Sequence, residues 1–464
     1  MVKELGRLTE TDRVRTRVDP YSAMNSADVL KICKEERVRF LRLHFTDILG
    51  NNKNVEVPVG QFEKALDGQI TFDGSSIEGF ARLEESDMLL APSPETFRLF
   101  PWEQMDRGKV GRLICDIRQP DGSVFPGCPR TRLKRALEEA GQLGFSMHAG
   151  VECEFFLFTR NENGQPTTRT HDSGGYFDLT PVDRGEETRR DIVNVLEALG
   201  FQIEAAHHEV APGQHEIDLK DDEALAMADN IATFKLIVRK VARDQGLHAT
   251  FMPKPIYGVS GSGMHIHQSL FAGEHNAFYD PANPLQLSRT ARQYIAGLLK
   301  HARGFCAITN PLINSYKRLV PDYEAPTRVA WAEHNRSPLV RVPARRGQGT
   351  RCELRMPDPS CNPYLAFAVM LKSGLDGIKN NLEPPPPVEK NIYKLSVRER
   401  RHHKVEDLPG NLSQALDLLE KDRLVQDALG RHIYKHFVDA KRAEWRTYIE
   451  QVHPWEIETY LGVY

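Results

Sequence analysis

The sequence lacks the features that would place it in a membrane, in an oxidising compartment or on nucleic acid. No segment of the 464 residues approaches the roughly 18 consecutive apolar residues of a membrane-spanning helix. The first residues lack the apolar core of a signal peptide. Basic and acidic residues nearly balance at a formal net charge of −3, so we expect no direct nucleic-acid partner. These absences predict a cytoplasmic protein with no membrane partner.

Cysteine is scarce and shows no pairing pattern. There are 7 cysteines, an odd number, and no Cys-x-x-Cys pair, which argues against a disulfide framework and against a zinc ribbon. Cys153 and Cys352 each neighbour an acidic residue, but on a strand they would point to the opposite face. We interpret both as small core residues.

The familiar nucleotide-binding loops are also missing. There is no G-x-x-x-x-G-K-[ST] loop, no kinase catalytic-loop pattern, and no G-x-G-x-x-G between a strand and a helix. The segment 258–263 is rich in glycine, which alone is a weak signal. It leads directly to His265 and His267, where a flexible backbone suits the close approach of a substrate.

What is present favours a large α+β protein. With 40% hydrophobic residues the chain can bury a sizeable core, and its length favours two domains. Residues 29–116 have a largely strand-like pattern and are followed by turn-forming residues at 121–127, which predicts a small domain over 1–120 and a larger one over 121–464. Periodicity in the larger domain predicts helices over 131–143, 187–199, 224–245 and 287–302, and again from residue 412 onward.

Acidic residues interrupt the apolar strand patterns of the larger domain. Glu152 and Glu154 precede an apolar run, and residues two apart on a strand share one face. A tight Pro-Gly turn would place Glu209 directly opposite Glu216. Because a buried acid without a partner is costly, these carboxylates indicate a bound cation.

Two further segments alternate in the same way. His265 and His267 share one strand face, and Glu353 shares another with Arg351 and Arg355. A ligand set of mostly carboxylate oxygens with one imidazole suits Mg²⁺ or Mn²⁺ better than Zn²⁺. The candidate ligands are Glu152, Glu154, Glu209, Glu216, His265 and Glu353.

Arginines are concentrated between residues 318 and 355. Guanidinium groups match carboxylate and phosphate in a bidentate way, so anion contacts are expected from several of them. The arginines expected to contact anions are Arg336, Arg341, Arg351 and Arg355, whereas Arg345 and Arg346 fit a salt-bridged surface equally well. Metal ions and arginines around a charged substrate indicate phosphoryl transfer, in which catalysis depends mainly on positioning and charge neutralisation.

A series of motifs, in order along nearly the whole chain, resembles those of type I glutamine synthetases. They include 45–47 (FTD), 72–80 (FDGSSIEGF), 208–214 (HEVAPGQ), 261–265 (GSGMH), 314–321 (NSYKRLVP), 335–337 (NRS) and 358–364 (DPSCNPY). The resemblance implies a small N-terminal β-grasp-like domain and a catalytic domain with a curved antiparallel sheet and helices. It also implies ATP-dependent ligation of ammonia to L-glutamate through γ-glutamyl phosphate.

The resemblance also assigns roles, residue by residue. One Mg²⁺ or Mn²⁺ ion would be held by Glu154, Glu209 and Glu216, and another, nearer the phosphates, by Glu152, His265 and Glu353. Glutamate would be bound by Gly261, His265, Arg318, Glu324 and Arg355. ATP and the transferring phosphoryl group would be bound by His267, Ser269, Arg336, Arg341 and Arg351, with Arg336 catalytic. Ammonium would be held and deprotonated by Glu324 and by Asp47 of a neighbouring subunit.

Assembly and regulation are likewise implied by the resemblance. The family forms a dodecamer of two stacked hexameric rings with active sites between subunits, and segment 452–464 resembles its tail that inserts across the rings. A nitrogen-regulatory protein is a further expected partner. The segment 79–85 resembles the feedback-inhibited alpha branch, in which Arg82 would act, although Arg82 could equally pair with a neighbouring glutamate. The setting of Tyr393 differs from that of the adenylylated branch, so we expect no adenylylation there.

Three positions depart from the usual pattern of the family. Ser260 stands where asparagine is common, Asp322 where glycine is usual in the flap, and Cys153 where proline is usual.

One alternative function is ligation of glutamate to a larger amine, but Asp47 and Glu324 favour ammonia. Others are a catalytically silent regulatory protein, against which the complete ligand set argues, and a two-metal phosphatase, which would not explain the arginines.

Overall fold

The computed structural model describes residues 23–75, 77, 87–102, 108–283, 285–321 and 323–464, so Arg82 and Asp322 lie outside the described residues. The helices are α1 (Ser26–Glu35), α2 (Phe62–Leu66), α3 (Pro129–Gln142), α4 (Glu186–Ala198), α5 (Ala224–Asp244), α6 (Arg289–Thr309), α7 (Ser315–Arg318), α8 (Pro363–Lys379), α9 (Val397–His402), α10 (Leu412–Leu419), α11 (Arg423–Ile449) and α12 (Pro454–Tyr460).

The strands alternate with these helices along the chain. They are β1 (Val38–Thr46), β2 (Asn52–Pro58), β3 (Ile70–Asp73), β4 (Asp87–Leu99), β5 (Lys109–Arg118), β6 (Ser146–Arg160), β7 (Pro166–Thr170), β8 (Ile203–His208), β9 (Gln214–Glu223), β10 (Leu247–Thr250), β11 (Met264–Ala272), β12 (His275–Asn276), β13 (Arg328–Val329), β14 (Trp331–Ala332), β15 (Val340–Arg341), β16 (Cys352–Leu354) and β17 (Glu406–Asp407).

The first part of the chain forms a five-stranded sheet in the order β2-β1-β5-β4-β3. Strands β1 and β5 run parallel, and the other neighbours are antiparallel. The prediction that strand structure begins at residue 29 was wrong, because α1 occupies residues 26–35. Asn25 and Asp28 form a capping box at its start, and Val29 and Cys33 lie on its buried face at helical spacing.

The larger part of the chain is organised around a ten-stranded sheet. Its main path is β14-β15-β16-β11-β6-β9-β8, and the long strand β6 also pairs with β7 and β10. All these pairs are antiparallel, as predicted, except the parallel edge pair β14 and β15. The acidic and histidine side chains predicted to bind metal therefore come from neighbouring strands of one sheet.

The predicted helices of the larger domain are all present as α3, α4, α5 and α6, and α10 to α12 follow residue 412. Helix α6 starts after Ser288, whose side chain caps Ala291 N. Helix α8 starts with Pro363 after the capping residue Asn362. None of the described helices is long and apolar enough to cross a membrane.

One hydrophobic cluster extends through both parts of the chain. It includes Leu41 and Leu113 of the five-stranded sheet together with Leu133, Phe155 and Phe367 of the larger domain. All 7 cysteines are free and buried, which confirms the interpretation of Cys153 and Cys352 as core residues. The division at residue 120 stays a prediction, since the core continues across it.

A buried ionic network also joins the two parts. Arg130 at the start of α3 donates from Nε and Nη2 to the two carboxylate oxygens of Asp229 in α5, each at 2.9 Å. Its Nη1 donates to Ser93 at 2.9 Å and to Asp116 at 3.0 Å, both on the five-stranded sheet. Tyr364 in α8 donates to Asp229 at 2.7 Å. The guanidinium therefore links α3 and α5 to two strands, and Asp229 extends the network to α8.

His301 makes a second bridge between helices. Its Nδ1 lies 2.7 Å from an oxygen of Asp422, the residue that caps α11, and its Nε2 lies 3.0 Å from Asp376 in α8. Burial lowers the pKa of His301, but the hydrogen bonds and charges of Asp422 and Asp376 outweigh burial and raise it above 6.5. Lys300 also pairs with Asp376, at 2.7 Å.

This raised pKa predicts a pH-dependent contribution to stability. A group whose pKa is higher in the folded state stabilises the fold below its unfolded-state pKa, and the contribution is lost as pH rises through the folded-state value. We expect His301→Gln to lower the free energy of unfolding by about 1–3 kcal/mol near pH 5.5 and by less near pH 9. Urea denaturation at both pH values measures the difference. A difference that is the same at both, or an equal effect of replacing the exposed His402, would contradict it.

Candidate functional site

A polar cavity of about 190 Å³ opens beside β6, β9 and β11. Its lining comes from the main sheet, from the hairpin between β8 and β9, and from the loops that follow β7, β10, α7 and β14. The lining residues are Glu152, Glu154, Tyr176, His207, Glu209, Val210, Gln214, Glu216, Asp218, Ser260, Gly261, His265, Arg318, Tyr323, Glu324, Arg336, Arg341 and Arg355. Most of the residues predicted to bind metal, glutamate or phosphate are therefore brought to one place.

Glu152 and two histidines form one side of the site. His265 and Glu152 are directly opposite each other on β11 and β6. Oxygens of Glu152 lie 2.9 Å from His265 Nδ1 and 2.7 Å from His267 Nε2. Burial alone would raise the pKa of Glu152, but the hydrogen bonds and charges of both histidines outweigh it and hold the pKa well below its usual range. Arg351 Nε donates to His267 Nδ1 at 3.1 Å, so the ring proton of His267 is on Nε2, facing Glu152.

Glu353 is fully buried and is held between two arginines. Arg341 Nη1 donates to its Oε2 at 2.9 Å, and Arg355 Nη1 donates to its Oε1. The Nε atoms of both arginines are buried without a hydrogen-bond partner in the described part of the chain. One ligand atom each from Glu152, His265 and Glu353 lies within 4.8 Å of the others, which matches the predicted second metal set.

The hairpin that carries Glu209 and Glu216 has a different register from the predicted one. The predicted pairing of Ala211 with Gln214 is present, because Gln214 N donates to Ala211 O at 3.0 Å. Beyond it, Glu209 N donates to Gln214 O at 2.8 Å, so Glu209 pairs with Gln214 and not with Glu216. The shift arises at Val210, whose N–H bonds to the carboxylate of Glu209 at 2.8 Å and leaves the ladder.

In the observed register Glu216 lies between two other groups. It is opposite His207 on β8 and Glu154 on β6. His207 Nε2 lies 3.3 Å from Glu216, and His207 Nδ1 lies 3.8 Å from Glu209. Ligand atoms of these three residues lie within 4.8 Å of one another, so His207 is a further candidate ligand beside Glu209 and Glu216. Glu154 accepts hydrogen bonds from Gln214 at 2.7 Å and from Gly263 N at 3.0 Å.

The pKa values of these carboxylates show how much negative charge is concentrated there. Burial first, and then the charges of Asp218, Glu152 and Glu209, raise the pKa of Glu216 to about 10. Burial and the charges of Glu209 and Glu216 raise the pKa of Glu154 well above its usual value. A cation at this position would reverse both effects, because it favours the ionised carboxylates. The oxygen-rich donor set fits a hard divalent cation.

A neighbouring histidine cluster lies behind the hairpin and has a supporting role. His171, Asp172 and His215 are close enough to share an ion. However, Arg189 donates to His215 Nδ1 at 2.8 Å, and burial followed by the charge of Arg189 lowers the pKa of His215. The neutral ring then carries its proton on Nε2, which cannot bind a metal. Asp172 instead accepts from Gly213 N at 2.8 Å and so holds the tip of the hairpin.

The opposite side of the cavity is built from arginines, glycine and the loop after α7. Arg318 is 2% exposed, and its guanidinium donates to the backbone oxygens of Met356 at 2.8 Å and Arg355 at 3.2 Å. A Cβ on Gly263 would lie 2.4 Å from Arg318 Nη2, so the close approach requires glycine. Glu324 lines the cavity from a backbone with φ of 56°, a left-handed conformation that is strained for this residue type.

Some predicted site residues lie outside this cavity. Asp47 is 3% exposed and accepts hydrogen bonds from Leu49 N at 3.0 Å and Asn51 N at 2.8 Å, which hold the turn after β1. His267, Ser269 and Arg351 extend away from the cavity along β11 and beside it. Because the carboxylate of Asp47 is held in this turn, it does not reach the cavity of its own chain.

Several lining residues were not singled out from the sequence, among them His207, Asp218 and Tyr176. His207 precedes Glu209 by two positions, and Asp218 follows Glu216 by two, so strand alternation was an available signal for both. Burial raises the pKa of Asp218 to about 6, with the charge of Glu152 next in effect. Tyr176 comes from a loop, and no sequence period indicated it.

The two parts of the chain match two family models. Residues 37–120 match the glutamine synthetase β-grasp domain, and residues 126–460 match the glutamine synthetase catalytic domain. The chain is 62% identical over 441 residues to a glutamine synthetase of Thermus thermophilus, covering 94% of this chain and 99% of the relative. It is 55% identical over 437 residues to a glutamine synthetase of Clostridium saccharobutylicum, covering 94% and 98%.

Solved structures agree with these matches. A structure titled as a GmaS/ADP complex superimposes with a TM-score of 0.85 at 33% identity and covers 94% of this chain and 99% of that one. A Plasmodium falciparum glutamine synthetase superimposes with a TM-score of 0.83 at 25% identity and covers 95% and 99%.

Proposed function

Because the chain belongs to the glutamine synthetase family and ligates ammonia to L-glutamate with ATP, we propose that the cavity described above is where both steps of that reaction occur. The observation that carries the proposal is the meeting of two opposite sets of charge in one cavity. Buried and half-buried carboxylates and histidines of β6, β8, β9 and β11 face Arg318, Arg336, Arg341 and Arg355. A carboxylate substrate and a triphosphate both need such a pairing.

The enzyme uses a divalent metal, and we propose Mg²⁺ or Mn²⁺. The proposed ligands of one ion are Glu154, Glu209 and Glu216, with His207 beside them, and those of the other are Glu152, His265 and Glu353. When bound, these ions supply positive charge that offsets the repulsion between the anionic substrates. The raised pKa values of Glu154 and Glu216 support this assignment, because such carboxylates need a cation to stay ionised.

In the first step the chain's arginines hold two anions together. An oxygen of the γ-carboxylate of glutamate attacks the γ-phosphorus of ATP, the bond to the bridging oxygen breaks, and ADP leaves. We assign Arg336 and Arg341 to the transferring phosphoryl group, and Arg318 and Arg355 to glutamate. The unpartnered Nε atoms of Arg341 and Arg355 support contacts with an anion. We assign His267, Ser269 and Arg351, which lie beyond the cavity along β11 and beside it, to the ATP-binding part of the site.

The second step needs a group that accepts a proton. Ammonium gives a proton to Glu324, and the nitrogen lone pair attacks the carbonyl carbon of γ-glutamyl phosphate. The C–N bond forms, the C–O bond to phosphate breaks, and phosphate leaves with the second proton that the nitrogen gives up as the amide forms. Glu324 is exposed at the cavity edge, near Glu209, where an incoming cation would meet two carboxylates.

We propose that Asp47 completes the ammonium site of a neighbouring copy. It does not line its own cavity, and the C-terminal segment exposes Trp455 at 62% and Leu461 at 74%, which suits burial against other copies. The dodecamer is the form we propose. The nitrogen-regulatory partner and the absence of adenylylation at Tyr393 stay predictions, and the alpha-branch feedback role of Arg82 concerns a residue outside the described part of the chain.

The test of the proposed function is a product assay. Phosphate release from ATP and glutamate is measured with Mg²⁺ or Mn²⁺ in the presence of ammonium, ethanolamine, putrescine or no amine, and glutamine is identified directly. We expect one glutamine per phosphate with ammonium. Turnover only with a larger amine, or none with any amine from an assembled protein, would contradict the proposal.

A further inference from the structure

Lys254 occupies an unusual place beside the cavity without lining it. It is 9% exposed, and its Nζ donates to the backbone oxygen of Val259, in the loop that precedes Ser260 and Gly261. The same Nζ lies over the ring of Tyr323, 3.9 Å from the centroid. Tyr323 precedes Glu324, and both line the cavity, as do Ser260 and Gly261. One ammonium group thus contacts both sides of the cavity mouth.

The backbone around Lys254 is fixed from behind. Its N–H donates to the side-chain oxygen of Asn314 at 2.7 Å, and its C=O accepts from the side-chain nitrogen of Asn314 at 3.0 Å. Ser262 N donates to Pro253 O at 2.7 Å, and a Cβ on Gly261 would lie 2.3 Å from that same oxygen. The backbone of Lys254 is therefore anchored, and its Nζ links the loop that precedes Gly261 to the ring of Tyr323.

We propose that Lys254 is a positioning residue that ties Tyr323 and Glu324 to the glycine-rich loop 258–261, so that Glu324 covers the reacting atoms only when the glutamate-binding loop is in place. The inference rests on the proposed roles of Gly261 and Glu324. A buried ammonium group loses most of its contacts with water, so the Tyr323 ring replaces part of its solvation. If Tyr323 moved away, the ammonium group of Lys254 would lose this stabilisation. The contact therefore favours the observed position of Tyr323 and Glu324 beside the cavity.

The proposed role of Lys254 affects how often the acyl phosphate reacts with water instead of ammonia. The acyl phosphate can react with ammonia to give glutamine and phosphate, or with water to give glutamate and phosphate, and a covering loop favours the first. Loss of the Lys254 contact should therefore raise the phosphate released per glutamine formed. It should also weaken glutamate binding by about 2- to 30-fold, the range expected for a cation–π contact.

The experiment compares Lys254→Met with Lys254→Arg, and Tyr323→Leu with Tyr323→Phe, in the assembled enzyme at saturating ammonium. We expect Lys254→Met and Tyr323→Leu to raise KM for glutamate and the phosphate-to-glutamine ratio more than they lower kcat. The conservative partners should restore both, and Lys254→Met/Tyr323→Leu should be no worse than the worse single variant. Lys240→Met is the matched control, because Lys240 lies over Trp102 at 5.3 Å and does not line the cavity.

The possible results distinguish a failure of this inference from a failure of the proposed function. A wild-type ratio and KM in Lys254→Met would overturn the inference, as would additive effects in the double variant. If Lys254→Met does not fold, Tyr323→Leu on the partly exposed loop decides the matter by the same two readouts. Failure of the wild-type enzyme to form glutamine would instead contradict the proposed function.

Discussion

Glu324→Gln is expected to lower the rate of glutamine formation by about 10²- to 10⁴-fold, the usual contribution of a general base. The amide keeps the size of the side chain but can neither balance the charge of ammonium nor accept its proton. Formation of the acyl phosphate does not need this proton transfer, so phosphate release without ammonium should persist. Glutamine and phosphate are quantified in parallel across ammonium concentrations.

The matched control is Glu274→Gln, which alters an exposed glutamate that does not line the cavity. It should leave both products at wild-type levels. A Glu324→Gln enzyme that forms glutamine at the wild-type rate would remove Glu324 from the mechanism. An equal loss of phosphate release in all conditions would assign it to the first step.

Arg130→Met is expected to lower the free energy of unfolding by about 3–5 kcal/mol, because removal of one partner leaves a buried charge uncompensated. Asp229 is 6% exposed and would lose both of its contacts with the guanidinium, keeping the hydroxyl of Tyr364. Asp116 would lose Arg130 and keep its pairing with Lys134. Urea denaturation at one fixed protein concentration measures the loss.

Lys134→Met provides the comparison. Lys134 also pairs with Asp116, but its side chain is 31% exposed, so its removal should cost no more than about 1 kcal/mol. Equal effects of the two substitutions would mean that burial of the Arg130 network is not what stabilises the contact between sheet and helices.

Much of the architecture could be predicted because long periodic segments determine their own structure. Helix α5 has apolar residues at helical spacing over 21 residues, and the apolar run of β6 continues the strand that carries Glu152 and Glu154. Helix α1 was missed because 10 residues give few helical repeats. Its capping box was the signal that could have identified it.

The site was harder to predict where side chains compete with the backbone. The carboxylate of Glu209 binds Val210 N, and this local hydrogen bond, invisible in a hydrophobic pattern, moves Glu216 away from Glu209 and opposite His207. The two glutamates still belong to one cluster, because the ring of His207 on β8 lies between them. The sequence therefore predicted which types of side chain the site contains. It did not predict which of those side chains lie opposite one another.

Asp47 and Tyr176 illustrate the remaining limit. Tyr176 reaches the cavity from a loop whose position depends on the tertiary structure, so no local pattern reports it. Asp47 was assigned to the ammonium site through the resemblance, yet its side chain caps a turn of its own chain. A side chain that acts in the site of a second copy, as we propose for Asp47, cannot be located from the periodicity of one chain.

The continuous hydrophobic core has a consequence for how the protein responds to cleavage. The turn at residues 121–124 is exposed, whereas Leu41, Leu113 and Leu133 on either side of it belong to one buried cluster. A protease that cuts this turn would sever the covalent link and leave the noncovalent one, since Arg130 and the shared core still join the pieces. Two bands on a denaturing gel would then correspond to a single particle in solution.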